Sequence, residues 1–524
     1  MPHADTIVHH ARIWPGRGAR VASALAIAGD RIVAVGEPHG VFNLRGPDTR
    51  MVDLDGQTVV PGFVDAHAHV SKIGHLLTTL LDLRSIDSLD ALGARLRDRA
   101  ATRPRDGWIQ GRGYNEARFV ERRGPTRHEL DAVATDRPIV VTRTCAHIVV
   151  CNTFALERAG ITRNTPPPPG GEIDREDDGA PSGVLRETAM GLVLAHVPPP
   201  TASEYEAMVT AALRHQVALG ITSTTDAGVR PALLEVYRHL DAERRLACRV
   251  NVMALDAVDG VGRVPLPATP YLSDQLRIDT VKFFADGGLS GATAALSMPY
   301  RAGDSRGVLR LDRDELYARA RKAHHAGWRI ATHAIGDEAI DHVLDAYQRL
   351  GSGPVRHRIE HFGLATPVQM ARARQLGIMV APQTIFIHEM GRNFRHYLPD
   401  ALHRHVYPVR SMLAAGITVA LSSDAPVVEN DSPLAGMQSA VVRQDDEGER
   451  IAADEAISIE DALDAYTRAG AVICGAERER GTLTVGMQAD MTVLSADPLQ
   501  TPADALTSLR VTQTWVGGRL LYEA

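Results

Sequence analysis

The sequence has few cysteines, few aromatic residues, no long apolar run and no excess of positive charge. Cys145, Cys151, Cys248 and Cys474 are the only cysteines in 524 residues, and none forms a CxxC pair. That excludes a disulfide scaffold and fits a reducing cytoplasm. No stretch approaches the roughly 18 apolar residues that a membrane span needs. The N-terminus, Met1-Pro2-His3-Ala4-Asp5, lacks the basic and apolar regions of a cleaved leader. Lys+Arg is 57 against 64 Asp+Glu, a net charge of −7. A nucleic-acid binder would carry a basic face instead. Phe, Trp and Tyr together make up 5%, so composition points to no aromatic ligand.

What is present is ordinary for a folded chain. Apolar residues at 44% and charged residues at 23% exclude wholesale disorder. At about 100–200 residues per domain the length allows two to four domains. The 22 histidines stand out, but a count does not say which of them act.

Both ends are rich in strand signals. Residues 24–28 and 31–35 flank Gly29-Asp30, the pattern of a hairpin. Runs 491–494 and 511–516, then Gly517-Gly518 before Arg519, repeat that character at the other end. One small β domain built from both termini is the simplest account. Between them lie eight strand-like runs at 58–65, 220–226, 248–255, 279–284, 328–333, 356–361, 377–381 and 417–422. Helical patterns separate most of them. One, from Arg313 to His325, opens on a capping box of Asp312 and Glu315 and closes at Gly327. Eight such units predict a TIM barrel, with a doubly wound sheet as the alternative. Between residues 70 and 220 lie about 150 residues, far more than an ordinary connection. This insertion must fold by itself or lean on the barrel. The runs 165–171 and 198–200, rich in proline, read as surface linkers.

The densest local signal is Val59-Val60-Pro61-Gly62-Phe63-Val64-Asp65-Ala66-His67-Ala68-His69. In a strand, residues two apart share a face, so His67 and His69 project together. Barrel active sites lie at that C-terminal end, and two imidazoles on one face can bind a metal. An HxH pair alone says little. Other strand ends also carry polar residues: Lys282 and Asp286, His333, Glu360-His361, and Asp424. Packing explains one such residue easily, but not a whole set, because burying unpaired polar groups is costly.

These motifs resemble the amidohydrolase superfamily, within it the branch of YtcJ-like proteins and N-substituted formamide deformylases. Residues 107–114, 130–133, 183–187 and 481–490 also fit that branch. The resemblance covers nearly the whole chain. It implies a metal-dependent TIM (β/α)8 barrel (residues 58–70 and 215–475) and a β-sandwich from residues 1–57 and 476–524. Residues 71–214 would be an insertion subdomain after the first barrel strand. It also implies a ligand set. His67 and His69 would bind one divalent ion with Asp424, and His333 and His361 a second. Lys282 would bridge them as an N-carboxylated lysine, since a lysine inside a barrel has reason to be neutral and nucleophilic. The alternative for Lys282 is a buried salt bridge, for instance with Asp286, which would leave a single ion. Zinc leads among the metals, and Mn, Fe and Co suit the same donors.

Asp424, Lys282 and His333 are then the residues expected to act in catalysis. A bound ion lowers the pKa of water from 15.7 towards about 7 and polarises a carbonyl. Asp424 is expected to pass a proton to the leaving nitrogen, beyond serving as a ligand. The expected reaction is hydrolysis of a small-molecule C–N bond outside peptide backbones: an amide, N-substituted formamide or cyclic amide. Ester, carbamate or lactone hydrolysis, a non-hydrolytic isomerase or lyase, and an inactive binding protein on the same fold are the competing readings. Arg143 and His147 are candidate substrate contacts, although Ala146 stands where the family usually has glycine. The loop 288–312 is a candidate mobile cover. The segment 385–416 could line a pocket or form an ordinary surface helix. Cys145 and Cys151 read as buried small residues. The resemblance further implies a cytoplasmic homodimer.

Overall fold

The computed structural model describes residues 3–102, 107–143, 148–168, 171–258, 262–301, 303–351, 353 and 355–524. The chain divides into two compact units, Lys72–Ala211 and the remainder.

The larger unit is built on a parallel sheet. Its strands are β1 (Phe63–Ala68), β2 (Ile221–Val229), β3 (Arg249–Leu255), β4 (Leu276–Phe284), β5 (Arg329–Ala334), β6 (Arg358–His361), β7 (Met379–Ala381) and β8 (Thr418–Val419). Each pairs in parallel with the next in chain order. β1, β6 and β7 are buried along their whole length, as a sheet covered on both faces requires. The sheet curls, and its ends meet beyond the ladder. The Asp424 amide donates to the His67 carbonyl at 2.7 Å and the His69 amide to the Ala425 carbonyl at 2.8 Å. The Asp65 carboxylate accepts from the Ser423 amide at 3.1 Å and its hydroxyl at 2.6 Å.

Two strand boundaries differ from expectation. The run 58–65 is not one strand. Thr58–Pro61 joins the sheet of the termini, pairing antiparallel with Met491–Leu494. β1 starts only after Gly62, where a Cβ would lie 2.1 Å from the Thr222 hydroxyl oxygen. Glycine there lets the chain pass from one sheet to the other. At the other end, the expected strand 417–422 forms only a two-residue ladder. Beyond it the Leu421 amide donates to the carbonyl of Ala465, the last residue of the helix Ile459–Ala465.

The terminal sheet contains both ends of the chain. Ala4–Ile13 pairs with Ala22–Ala28, which turns at Gly29-Asp30 into Arg31–Gly36. Met491–Leu494, Val511–Val516 and Arg519–Glu523 continue the sheet through Thr58–Pro61. Val8, Ile13, Leu25, Ile27, Val59, Met491, Val493 and Trp515 form one apolar cluster here, and Ile7, Ala24, Ala26 and Val41 another.

The smaller unit has its own six-stranded sheet and two apolar clusters, one around Leu83, Leu96 and Val141, the other around Val149, Leu156 and Leu185. Cys151, Cys248 and Cys474 are buried free thiols, while Cys145 lies outside the described residues. Among the described residues no helix is long and apolar enough to cross a membrane.

The helix Arg313–His325 forms as expected, with the Asp312 carboxylate accepting from the Asp314 and Glu315 amides. Glu315 bonds Arg319 rather than closing a capping box. At its C-terminal end His324 meets His357. The Ile330 amide donates to His357 Nδ1 at 3.1 Å, which leaves the proton on Nε2 to be donated to His324 Nδ1 at 2.9 Å. Burial, followed by the charges of His324 and Arg329, pushes His357 down to about 4. An unfolded histidine titrates near 6.5, so below that pH the unfolded chain binds the proton more readily and stability falls. His357 should therefore cost about 2 kcal/mol of stability between pH 7 and pH 5. Thermal melts across that range should show a steeper decline for the wild type than for His357→Gln. Parallel pH profiles would exclude this origin.

Candidate metal centre

Five strand ends bring their polar residues into one buried place. His67 lies on β1, Lys282 on β4, His333 on β5 and His361 at the end of β6, while Asp424 follows β8. Ligand atoms of His67, His361 and Asp424 all lie within 4.8 Å of one another. Asp424 Oδ1 stands 3.1 Å from His69 Nε2 and 3.4 Å from His67 Nε2. The His333 and His361 rings are 4.4 Å apart, and those of His67 and His361 5.0 Å apart. Lys282 is 1% exposed, with Nζ 5.0 Å from the centre of the Phe284 ring.

The backbone is held in unusual conformations at this place. His361, Phe362 and Asp424 have φ of 71°, 50° and 57°. Residues with side chains rarely occupy this left-handed region, and surrounding structure must enforce it, as often happens at functional sites.

Hydrogen bonds decide which imidazole nitrogens are available. His361 Nδ1 pairs with Gln383 Oε1 at 2.6 Å. The Gln383 amide is oriented in turn, donating to the Ala381 carbonyl and to Ser422 Oγ. His361 Nδ1 must therefore carry the proton, and Nε2 is a free lone pair. His333 Nε2 donates to the Gly287 carbonyl at 2.9 Å, so its Nδ1 is the acceptor. His67 Nδ1 meets Glu360 Oε2, leaving Nε2 towards Asp424.

The electrostatics follow from burial and these partners. Burial, then His333, hold the His361 imidazole well below its ordinary range, so it is neutral as a ligand must be. Burial alone would raise Asp424, but the neighbouring His67 and His69 imidazoles outweigh it and keep the carboxyl well below the usual carboxylate range. Burial likewise opposes ionisation of Glu360, and the Arg358 charge followed by His67 overcomes it. Asp65 moves the other way, pushed up to about 6 by burial against hydrogen bonds from Ser423 and His67.

The donors suit a divalent cation. Neutral imidazoles with a carboxylate are the set that zinc and similar ions take, and all three clustered residues are buried. Asp286, the alternative partner for Lys282, accepts from the Ala295, Ile335 and Gly336 amides at 2.8–3.1 Å.

Two neighbouring segments bear on the surroundings of the site. In the loop after β4, Asp286 accepts from the Ala295 amide, Asp337 accepts from Ser297, and the Tyr300 hydroxyl donates to the Ala294 carbonyl. In the helix Ile385–Tyr397, Phe386 lies parallel to the His361 ring, whereas His388 and His396 are exposed. Arg143 donates to Glu116 at 2.8–2.9 Å within the smaller unit, and His147 lies outside the described residues. Sequence reasoning gave no role to Glu360, Gln383, Asp65 or Ser423. Asp65 shares the strand face of His67 and His69, a usable signal. Gln383, past the end of β7, carries none.

The amidohydrolase family matches residues 50–522. YtcJ of Bacillus subtilis, named as an amidohydrolase, is 32% identical over 518 residues, covering 94% of this chain and 97% of that protein. N-substituted formamide deformylase of Arthrobacter pascens is 31% identical, covering 96% of this chain and 95% of the other. The solved structure of an uncharacterized metal-dependent hydrolase from Pyrococcus horikoshii superposes with a TM-score of 0.80 at 26% identity, covering 95% and 99%. With the family match spanning most of the chain and relatives above 30% identity along nearly its full length, this protein belongs to the amidohydrolase family.

Proposed function

We propose that the protein is a metal-dependent hydrolase of a small-molecule C–N bond, with an N-substituted formamide, another non-peptide amide or a cyclic amide as substrate. The observation that carries this reading is the buried group His67, His361 and Asp424, set where parallel strands end. The deformylase relative supports the substrate class. In this reading the parallel sheet closes as a (β/α)8 barrel, the terminal sheet forms a β-sandwich and residues 71–214 are an insertion.

His67, His69 and Asp424 would hold one divalent ion, and His333 and His361 a second, with Lys282 as an N-carboxylated bridge. Zinc is the expected metal, with Mn, Fe or Co as alternatives. When bound, such an ion supplies Lewis acidity towards a carbonyl and acidifies water. The chain's own residues do the rest. As a water oxygen adds to the substrate carbonyl carbon, Asp424, held anionic beside two imidazoles, takes that water's proton and delivers it to the nitrogen as the C–N bond breaks. Phe386 lies parallel to the His361 ring and covers one side of it. Arg143 and His147 are proposed substrate contacts from the insertion. Buried reduced thiols and the fold suit a cytoplasmic enzyme.

Metal analysis of the purified protein, followed by a substrate panel, tests this. One or two ions per chain and turnover of N-substituted formamides or cyclic amides are expected. Turnover confined to esters or lactones would move the assignment to C–O bonds. Absence of both metal uptake and turnover after zinc or manganese addition would overturn it.

A further inference from the structure

Arg358, Glu360 and His67 form a continuous buried chain from β6 to β1. Arg358 is 2% exposed, and Glu360 and His67 are 0% and 1% exposed. As residues two apart on one strand, Arg358 and Glu360 face the same way. The guanidinium grips the carboxylate from both sides, Nε to Oε1 at 2.5 Å and Nη2 to Oε2 at 2.9 Å. The same Nη2 donates at 2.7 Å to the Ala66 carbonyl, the peptide just before His67. Glu360 Oε2 then receives His67 Nδ1. One arginine thus fixes both the backbone before His67 and the carboxylate that holds its ring.

Resting on the metal-hydrolase reading above, we infer that Glu360 and Arg358 are positioning residues that set the tautomer and direction of His67. A carboxylate on Nδ1 keeps the proton there. It leaves the Nε2 lone pair facing Asp424 and makes that nitrogen a stronger donor. Arg358 keeps the carboxylate ionised and stops it from rotating away, because a guanidinium fork fits a carboxylate in one plane. His361 is served by a neutral group, Gln383, on its own Nδ1. The two imidazoles are therefore matched to different partners: an anion behind His67, an amide behind His361.

The test is metal affinity, measured by competition with a chromogenic chelator, alongside turnover and thermal melting of the metal-free protein. Glu360→Gln keeps an oxygen that can accept from Nδ1 but loses the charge. Glu360→Ala loses both. Outer partners of this kind are worth about 10–100-fold in metal affinity. Affinity should fall in the order wild type, Glu360→Gln, Glu360→Ala, with the Ala variant down by about 100-fold. Restoration of part of the affinity by Gln marks positioning, which a purely structural role would not reproduce in folded protein. If either single variant fails to fold with Arg358 left unpaired, Arg358→Met/Glu360→Gln removes both charges, and the same loss of affinity is expected. Folded variants that bind metal as tightly as wild type would overturn the inference. A wild-type protein that binds no divalent ion would overturn the metal-hydrolase reading instead.

Discussion

Replacing Asp424 with Asn is expected to lower kcat by about a thousandfold, within the range that a positioned proton-transfer group contributes. The argument starts with the backbone. Asp424 has φ 57°, a left-handed conformation that Asn tolerates as well as Asp. Asn also has the same shape and can still face His67 and His69. What it cannot do at neutral pH is carry a proton. In the native site Asp424 Oδ1 stands 3.1 Å and 3.4 Å from two imidazoles that keep the carboxyl ionised. An ionised carboxylate in a water-poor site can accept a proton and release it again. A thousandfold loss corresponds to about 4 kcal/mol of transition-state stabilisation. KM should change little, and a substantial share of the metal should stay bound. Turnover within tenfold of wild type, measured at matched metal content, would reduce Asp424 to a ligand. Asp424→Ala is the poorer test because it adds backbone strain to the chemical change.

Stripping the protein with a chelator is expected to abolish turnover by a similar or larger factor, with recovery on adding zinc, manganese or cobalt. Lewis-acid stabilisation of developing charge is worth several kcal/mol, and no residue of the site replaces it. The stripped protein should stay folded. The contacts that join β1 to the segment after β8 are made by the chain itself, through Asp65 with Ser423 and the amides of His69 and Asp424. Arg358 and Glu360 neutralise each other beneath the donors. Adding metal at about 100 times its Kd should then stabilise the fold by about 2.7 kcal/mol, seen as a rise in Tm. Full turnover in protein free of detectable metal would sink the proposed chemistry. Loss of folded structure on chelation would show that the metal, rather than these contacts, holds the strands together.

Much of this site is legible in the sequence because strand geometry is periodic. His67 and His69 share a face by their spacing alone. The polar residues at the ends of apolar runs stand out because buried polar groups need a reason. The helix Arg313–His325 is equally readable from its cap and its closing glycine. The break at Gly62 is not readable, because it depends on Thr222, a residue 160 positions away that occupies the space a side chain would need. The two-residue length of β8 is not readable either, since the backbone after it bonds to the end of the helix Ile459–Ala465.

The sequence by itself determined which residue types stand at the strand ends: imidazoles, a lysine and a carboxylate. Only the tertiary structure decided how each is presented. Which nitrogen of an imidazole is free depends on what bonds the other one, and those partners are chosen in space. Glu360 reaches His67 across 293 residues, and Ser423 reaches Asp65 across 358. A local pattern contains the candidate ligands, but their tautomers and directions come from contacts that exist only once the first and last strands have met.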